Sequence, residues 1–173
     1  MARYVNYYCD GEVKDIMERL IERFPAMFAG FDTDNIAFIT TKKKKSAKAI
    51  RLVSVGYPME AFLNKPYIVE AFEERWKRMN SKQKNLAVFH IMCAIPEGGT
   101  NTADKHYGKK TRPEITMYMR EFAASGGVPN WMENPAAVDP MENTEENMAQ
   151  VIPSIEPLPE PEDKGATANP KSS

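Results

Sequence analysis

Ser81-Lys82-Gln83-Lys84-Asn85-Leu86-Ala87-Val88-Phe89-His90-Ile91-Met92-Cys93-Ala94-Ile95-Pro96 is the stretch on which the reading of this chain turns. Ser81 suits an N-cap, and Pro96 closes the segment. Between them Leu86, Phe89, His90 and Cys93 recur at helical spacing, and Val88, Met92 and Ile95 widen the apolar face. The segment reads as a helix with a wide apolar face. It also places a histidine and a cysteine one turn apart on one face.

Working outward, the segment Asp10 to Phe24 reads as an amphipathic helix. Val13, Ile16, Met17, Leu20, Ile21 and Phe24 form its stripe, Asp10 is its expected N-cap and Pro25 its stop. Ile36 to Thr40 and Ile50 to Val55 are β-prone runs. The basic Lys42-Lys43-Lys44-Lys45 between them predicts a hairpin. Pro66 to Met79 is ambiguous: Val69, Phe72 and Trp76 have helical spacing, whereas Tyr67-Ile68-Val69 is strand material. Beyond the polar loop Glu97 to Lys110, a last helix is expected from Pro113 to Ala124. Its stripe is Ile115, Tyr118, Met119 and Phe122, with Gly126-Gly127 as the stop and Trp131 packing back.

Charge divides the chain. Of its 173 residues, those up to Met132 carry 21 basic and 15 acidic side chains, whereas Glu133 to Ser173 carry 2 and 9. Seven of the 13 prolines lie in that second stretch. So few large apolar residues cannot offset the entropy of ordering a chain, so the expected division is a folded domain over 1–132 and a disordered acidic tail over 133–173. No apolar run approaches the ~18–20 residues of a membrane span. Two cysteines, Cys9 and Cys93, are too few for a disulfide framework and suit a reducing cytoplasm.

The chain has two histidines, His90 and His106. A helix offering ligands one turn apart, with a third from a following loop, is how zinc hydrolases build an open metal site. The plainer alternative is a core histidine bonded to a backbone carbonyl and a surface histidine in a loop. The runs Asn35 to Ile39, Ala49 to Val55, Pro66 to Glu70, Trp76 to Met79 and Gln83 to Gly98 together resemble the putative phage metallopeptidase family. The resemblance spans roughly Asp10 to Trp131. It implies a zincin-like α+β fold, with a small mixed β-sheet, three main helices and an active-site helix bearing His-Glu-x-x-His. Trp76, Asn80-Ser81, Ile95-Pro96, Gly98-Gly99 and His106 correspond to the family's flanking features.

This chain departs from that pattern at its chemical centre. His90 occupies the first position of the motif, but Ile91 stands where the resemblance puts the general base and Ala94 where it puts the second metal-binding histidine. Isoleucine cannot take a proton from a metal-bound water, and alanine has no ligand atom. Cys93 could replace the missing ligand, giving a His90, Cys93 and His106 set for zinc. Glu97, about two turns beyond Ile91, is too distant to replace the base.

The expectation is therefore a metallopeptidase-like protein of a phage or other mobile element, catalytically inactive and retained as an interaction module in the host cytoplasm. The alternative is a zinc-dependent peptidase with the rearranged His90/Cys93/His106 site. A further alternative is a basic nucleic-acid-associated protein binding through Lys42, Lys43, Lys44 and Lys45, with Lys48 and Arg51 beside them. Lys105, Lys109, Lys110 and Arg112 form a second basic cluster around His106. An apolar island at residues 151–155 is a candidate docking motif for a protein partner.

Overall fold

A computed structural model describes residues 7–9, 11–42, 48–111, 118–128, 131 and 134–151. The first helix, α1 (Glu12–Arg23), buries Val13, Ile16, Met17 and Leu20, the stripe its periodicity predicts. Pro25 disfavours the helical conformation for the residue before it, and Phe24 leaves the helix at φ −125° and ψ 61°. Its side chain is nevertheless fully buried. Asp10, the expected cap, lies outside the described residues; the cap position is Gly11.

Among the described residues four strands form one mixed sheet: β1 (Tyr7–Tyr8), β2 (Ile36–Thr41), β3 (Ile50–Ser54) and β4 (Tyr67–Phe72), in the order β1-β2-β4-β3. This corrects the expected hairpin, because β2 and β3 do not pair with each other. β4 enters between them, parallel to β2 from Ile36 opposite Tyr67 to Thr41 opposite Phe72, and antiparallel to β3 with Leu52 opposite Val69. The reason is burial. Tyr67, Val69, Glu70, Ala71 and Phe72 are all buried, so β4 needs cover on both faces and takes a central position. Lys43, Lys44 and Lys45 of the expected hairpin loop lie outside the described residues.

The ambiguous stretch divides at Phe72. Its first half is β4, and its second half is the short helix α3 (Glu73–Trp76), where Glu73 pairs with Lys77 at 2.5 Å and Glu74 with Arg78 at 2.8 Å. Another short helix, α2 (Met59–Leu63), fills the connection from β3 to β4 and ends at Asn64 in the left-handed conformation, φ 50°.

The central helix α4 (Ser81–Cys93) is capped one residue earlier than expected. Asn80 is the N-cap: its side chain accepts from the Gln83 N–H at 2.9 Å, and the Gln83 side chain accepts from the Asn80 N–H at 3.1 Å. Leu86, Val88, Phe89 and Met92 are fully buried, and Phe89 meets Phe24 and Phe28 edge-on at 5.6 and 5.5 Å. Near the start of α1 and α4, Glu12 accepts from the Trp76 indole at 2.7 Å and pairs with Lys84 at 2.6 Å, while Lys84 lies 5.3 Å from the centre of the Trp76 ring.

Helix α5 (Met119–Ala124) follows, and residues 112–117, where its start was expected, lie outside the described residues. Gly126 and Gly127 end it with φ of 76° and 77°, a conformation glycine adopts without steric cost. The stretch expected to be a disordered tail does not begin as one. Residues 134–151 carry the helix α6 (Glu145–Val151), bury Ala137 and Met148, and bond the Asn143 amide to the carbonyls of Ala123 and Ala124 at 3.2 and 3.0 Å. Composition misses this because a few well-placed apolar side chains joined to a large core need no core of their own. Residues 152–173 lie outside the described residues. Among the described residues no helix is long and apolar enough to cross a membrane. The fold is thus α+β around a small mixed sheet.

Two measurements check this packing. Phe89→Ala should cost about 3–5 kcal/mol in a urea titration, whereas a change at exposed Lys77 should stay within about 0.5 kcal/mol. Burial alone would raise the Glu12 carboxyl, but its bonds from Lys84 and Trp76 outweigh that and hold it below its ordinary 4.5. A lowered carboxyl stabilises the fold above its unfolded value, and that contribution disappears as pH falls through the folded value. Glu12→Gln should therefore be less stable than the parent at neutral pH, and the gap should close as pH drops below about 4.5.

Candidate functional site

His90 lies in the last turn of α4, and α5 brings Glu121 against it. The His90 Nδ1 is 2.6 Å from Glu121 Oε2. A carboxylate offers only lone pairs, so the proton of this bond lies on Nδ1 and the neutral ring presents Nε2 as its acceptor. The His90 side chain is 40% exposed and Glu121 only 2%. Glu121 is therefore a buried charge, and three donors satisfy it: His90, the Trp131 indole N–H on Oε1, and the Tyr118 N–H at 3.4 Å on Oε2. The Tyr118 ring lies 5.1 Å from the imidazole, and its hydroxyl donates to the Thr111 carbonyl at 3.1 Å. The result is a half-exposed imidazole with its tautomer and orientation set from behind by a carboxylate. That is a way to prepare either a base or a metal ligand.

The rest of the expected site is arranged differently. Cys93 is buried, and its carbonyl accepts from the Thr111 hydroxyl at 3.0 Å. His106 is 43% exposed in the loop after α4, with its Nδ1 3.1 Å from Asp104 and its main-chain N–H bonded to the same carboxylate at 2.8 Å. That carboxylate presses on Gly98, where a Cβ would lie 2.4 Å from Asp104 Cγ. Gly98 also has φ of +74°, so a glycine is needed there twice over. Among the described residues no three His, Cys, Asp or Glu side chains are grouped to hold a metal ion. His90, Cys93 and His106 thus do not form the expected three-ligand set, because Glu121 and Asp104 hold the two rings at separate anchors and the core encloses the cysteine.

Ile91 and Ala94 are buried at 4% and 7% exposure, and Glu97 is exposed in the turn beyond Pro96. A shallow groove beside the end of α4 is lined by Met27, Phe28, Phe31, Pro96, Glu97 and Arg120, and His90 is not part of it. Of the predicted basic residues, Lys42 is exposed after β2.

Sequence reasoning found His90 but missed Glu121 and the role of Trp131. One signal was present: Glu121 falls three residues after Tyr118, at the margin of an otherwise apolar stripe, where a charge needs a partner.

A family model described as putative phage metallopeptidase matches residues 5–123. No curated protein and no solved structure matches the chain.

The Glu121 bonds make a prediction. Glu121→Leu should destabilise the fold by about 1–3 kcal/mol for each buried donor it orphans, chiefly the Trp131 indole, in a urea titration. Nitrogen-15 spectra should show His90 protonated on Nδ1 when neutral, and this preference should be lost in Glu121→Gln, whose amide can donate to that nitrogen instead.

Proposed function

The chain belongs to the putative phage metallopeptidase family, and on that premise we propose that it is a zincin-like member that has lost peptidase activity and serves as an interaction module in the host cytoplasm of a phage or mobile element. One observation carries the reading: Ile91 and Ala94, which stand where the family resemblance puts the general base and a metal ligand, are both packed into the core. Neither side chain can move a proton or donate a lone pair to a metal. His90 keeps the imidazole of the motif, but with its Nδ1 bonded to Glu121 it holds α4 against α5. In this reading the histidine survives for the sake of that buried carboxylate.

Metal analysis of the purified full chain after zinc loading and gel filtration tests the proposal. The expected result is substoichiometric zinc in folded protein, with no hydrolysis of a fluorogenic casein above a metal-only blank. Stoichiometric zinc that disappears in His90→Ala and in Cys93→Ser, together with hydrolysis, would overturn it in favour of a rearranged zinc peptidase.

A further inference from the structure

Two basic clusters lie almost sixty residues apart in sequence, one around Lys48 and Arg51 and the other around Lys105 to Lys110. The fold joins them. The Lys110 ammonium donates to the Leu52 carbonyl of β3 at 2.7 Å, and the buried Tyr67 hydroxyl donates to the Lys109 carbonyl, which positions the chain at that point. β3 is an outer strand of the sheet, so Lys110 adds a cation to an edge that already carries Arg51 and follows Lys48. Arg51 is 51% exposed and pairs at 2.5 Å with Glu70, whose buried carboxylate is the one negative charge the sheet supplies to it. Burial, followed by repulsion from Lys48 and Arg51, pushes the Lys110 ammonium below its ordinary value, and that repulsion places the three cations near one another.

A second observation concerns the end of the same strand. Just past β3, Tyr57 is 88% exposed and Phe62 on α2 is 83% exposed, with Met59 and Leu63 also open to solvent. Large apolar side chains grouped at the surface mark a place of contact. Six residues of chain reach at most about 20 Å, so Tyr57 lies within the length of a few nucleotides of Arg51.

We propose that the outer edge of β3 and the adjoining α2 form a binding surface for single-stranded nucleic acid, with Lys48, Arg51 and Lys110 on the phosphates and Tyr57 and Phe62 stacking on bases. Cations along a track with aromatic faces beside them are the two components of sequence-tolerant strand binding. A duplex would satisfy only the first, because its bases are already stacked. The surface uses none of the residues around His90 and Glu121, so the proposal stands whether or not the chain retains hydrolytic activity.

The test is fluorescence anisotropy of a labelled mixed-sequence oligodeoxynucleotide of about 15 nucleotides with the full chain, at about 50 and 200 mM salt. The expected result is binding that weakens steeply with salt. Lys48→Gln with Lys110→Gln should weaken it and lower the slope of log affinity against log salt by about 1.4, from about 0.7 per phosphate contact. Tyr57→Ala with Phe62→Ala, both at exposed positions, should weaken it by at least about fivefold with the slope unchanged. Lys77→Gln with Arg78→Gln on α3 should change nothing. The proposal fails if the oligonucleotide does not bind at low salt, or if the α3 variant loses as much as the β3 variant. It also fails if the aromatic variant binds normally, or if anionic phospholipid vesicles are bound in place of the oligonucleotide.

Discussion

The buried carboxylate of Glu121 sets the arrangement of the second half of the molecule. A charge at 2% exposure is tolerable only if its lone pairs are filled, and the donors come from three places: His90 on α4, the Tyr118 main chain before α5, and the Trp131 indole beyond it. α5 cannot slide along α4, nor can the segment at Trp131 swing away, without leaving that carboxylate unpaired. The same constraint explains why the His90 ring is held in a defined orientation. Its position follows from the needs of Glu121.

The sheet repeats this logic. Glu70 is a buried carboxylate on the central strand, and Arg51 answers it from β3 at the edge. Glu12 does the same at the other end of the core, accepting from Trp76 and Lys84. In each case an acid on one element is satisfied by a donor on another, so the ionic contacts select which elements become neighbours more than they add net stability. Apolar burial supplies the driving force, centred on Phe89 with Phe24 and Phe28, and on β4 between its two partners.

The family relationship and the geometry bear on different parts of the chain. Membership rests on residues 5–123, the stretch that holds the sheet and the central helix. Ile91 and Ala94 lie inside that stretch, and both are apolar and buried. At these two positions the side chains serve the packing of α4. The basic edge of β3 and the exposed aromatics at α2 lie elsewhere, so recognition at that surface does not depend on the motif.

Taken alone, the sequence determined what is periodic or stereochemical: the stripe of α1, the central helix between Ser81 and Pro96 to within one residue of its cap, the glycine stop at Gly126 and Gly127, and the presence of Ile91 and Ala94 beside His90. Each is a property of neighbouring residues, set by helical spacing, capping and side-chain chemistry. The tertiary structure alone decided the insertion of β4 between β2 and β3, the partnership of His90 with Glu121 and Trp131, the docking of residues 134–151, and the merging of two distant basic clusters at Leu52. The physical reason is common to all four. Each depends on which distant surface a side chain meets, and a pattern of local spacing says which faces must be buried without saying which elements bury them.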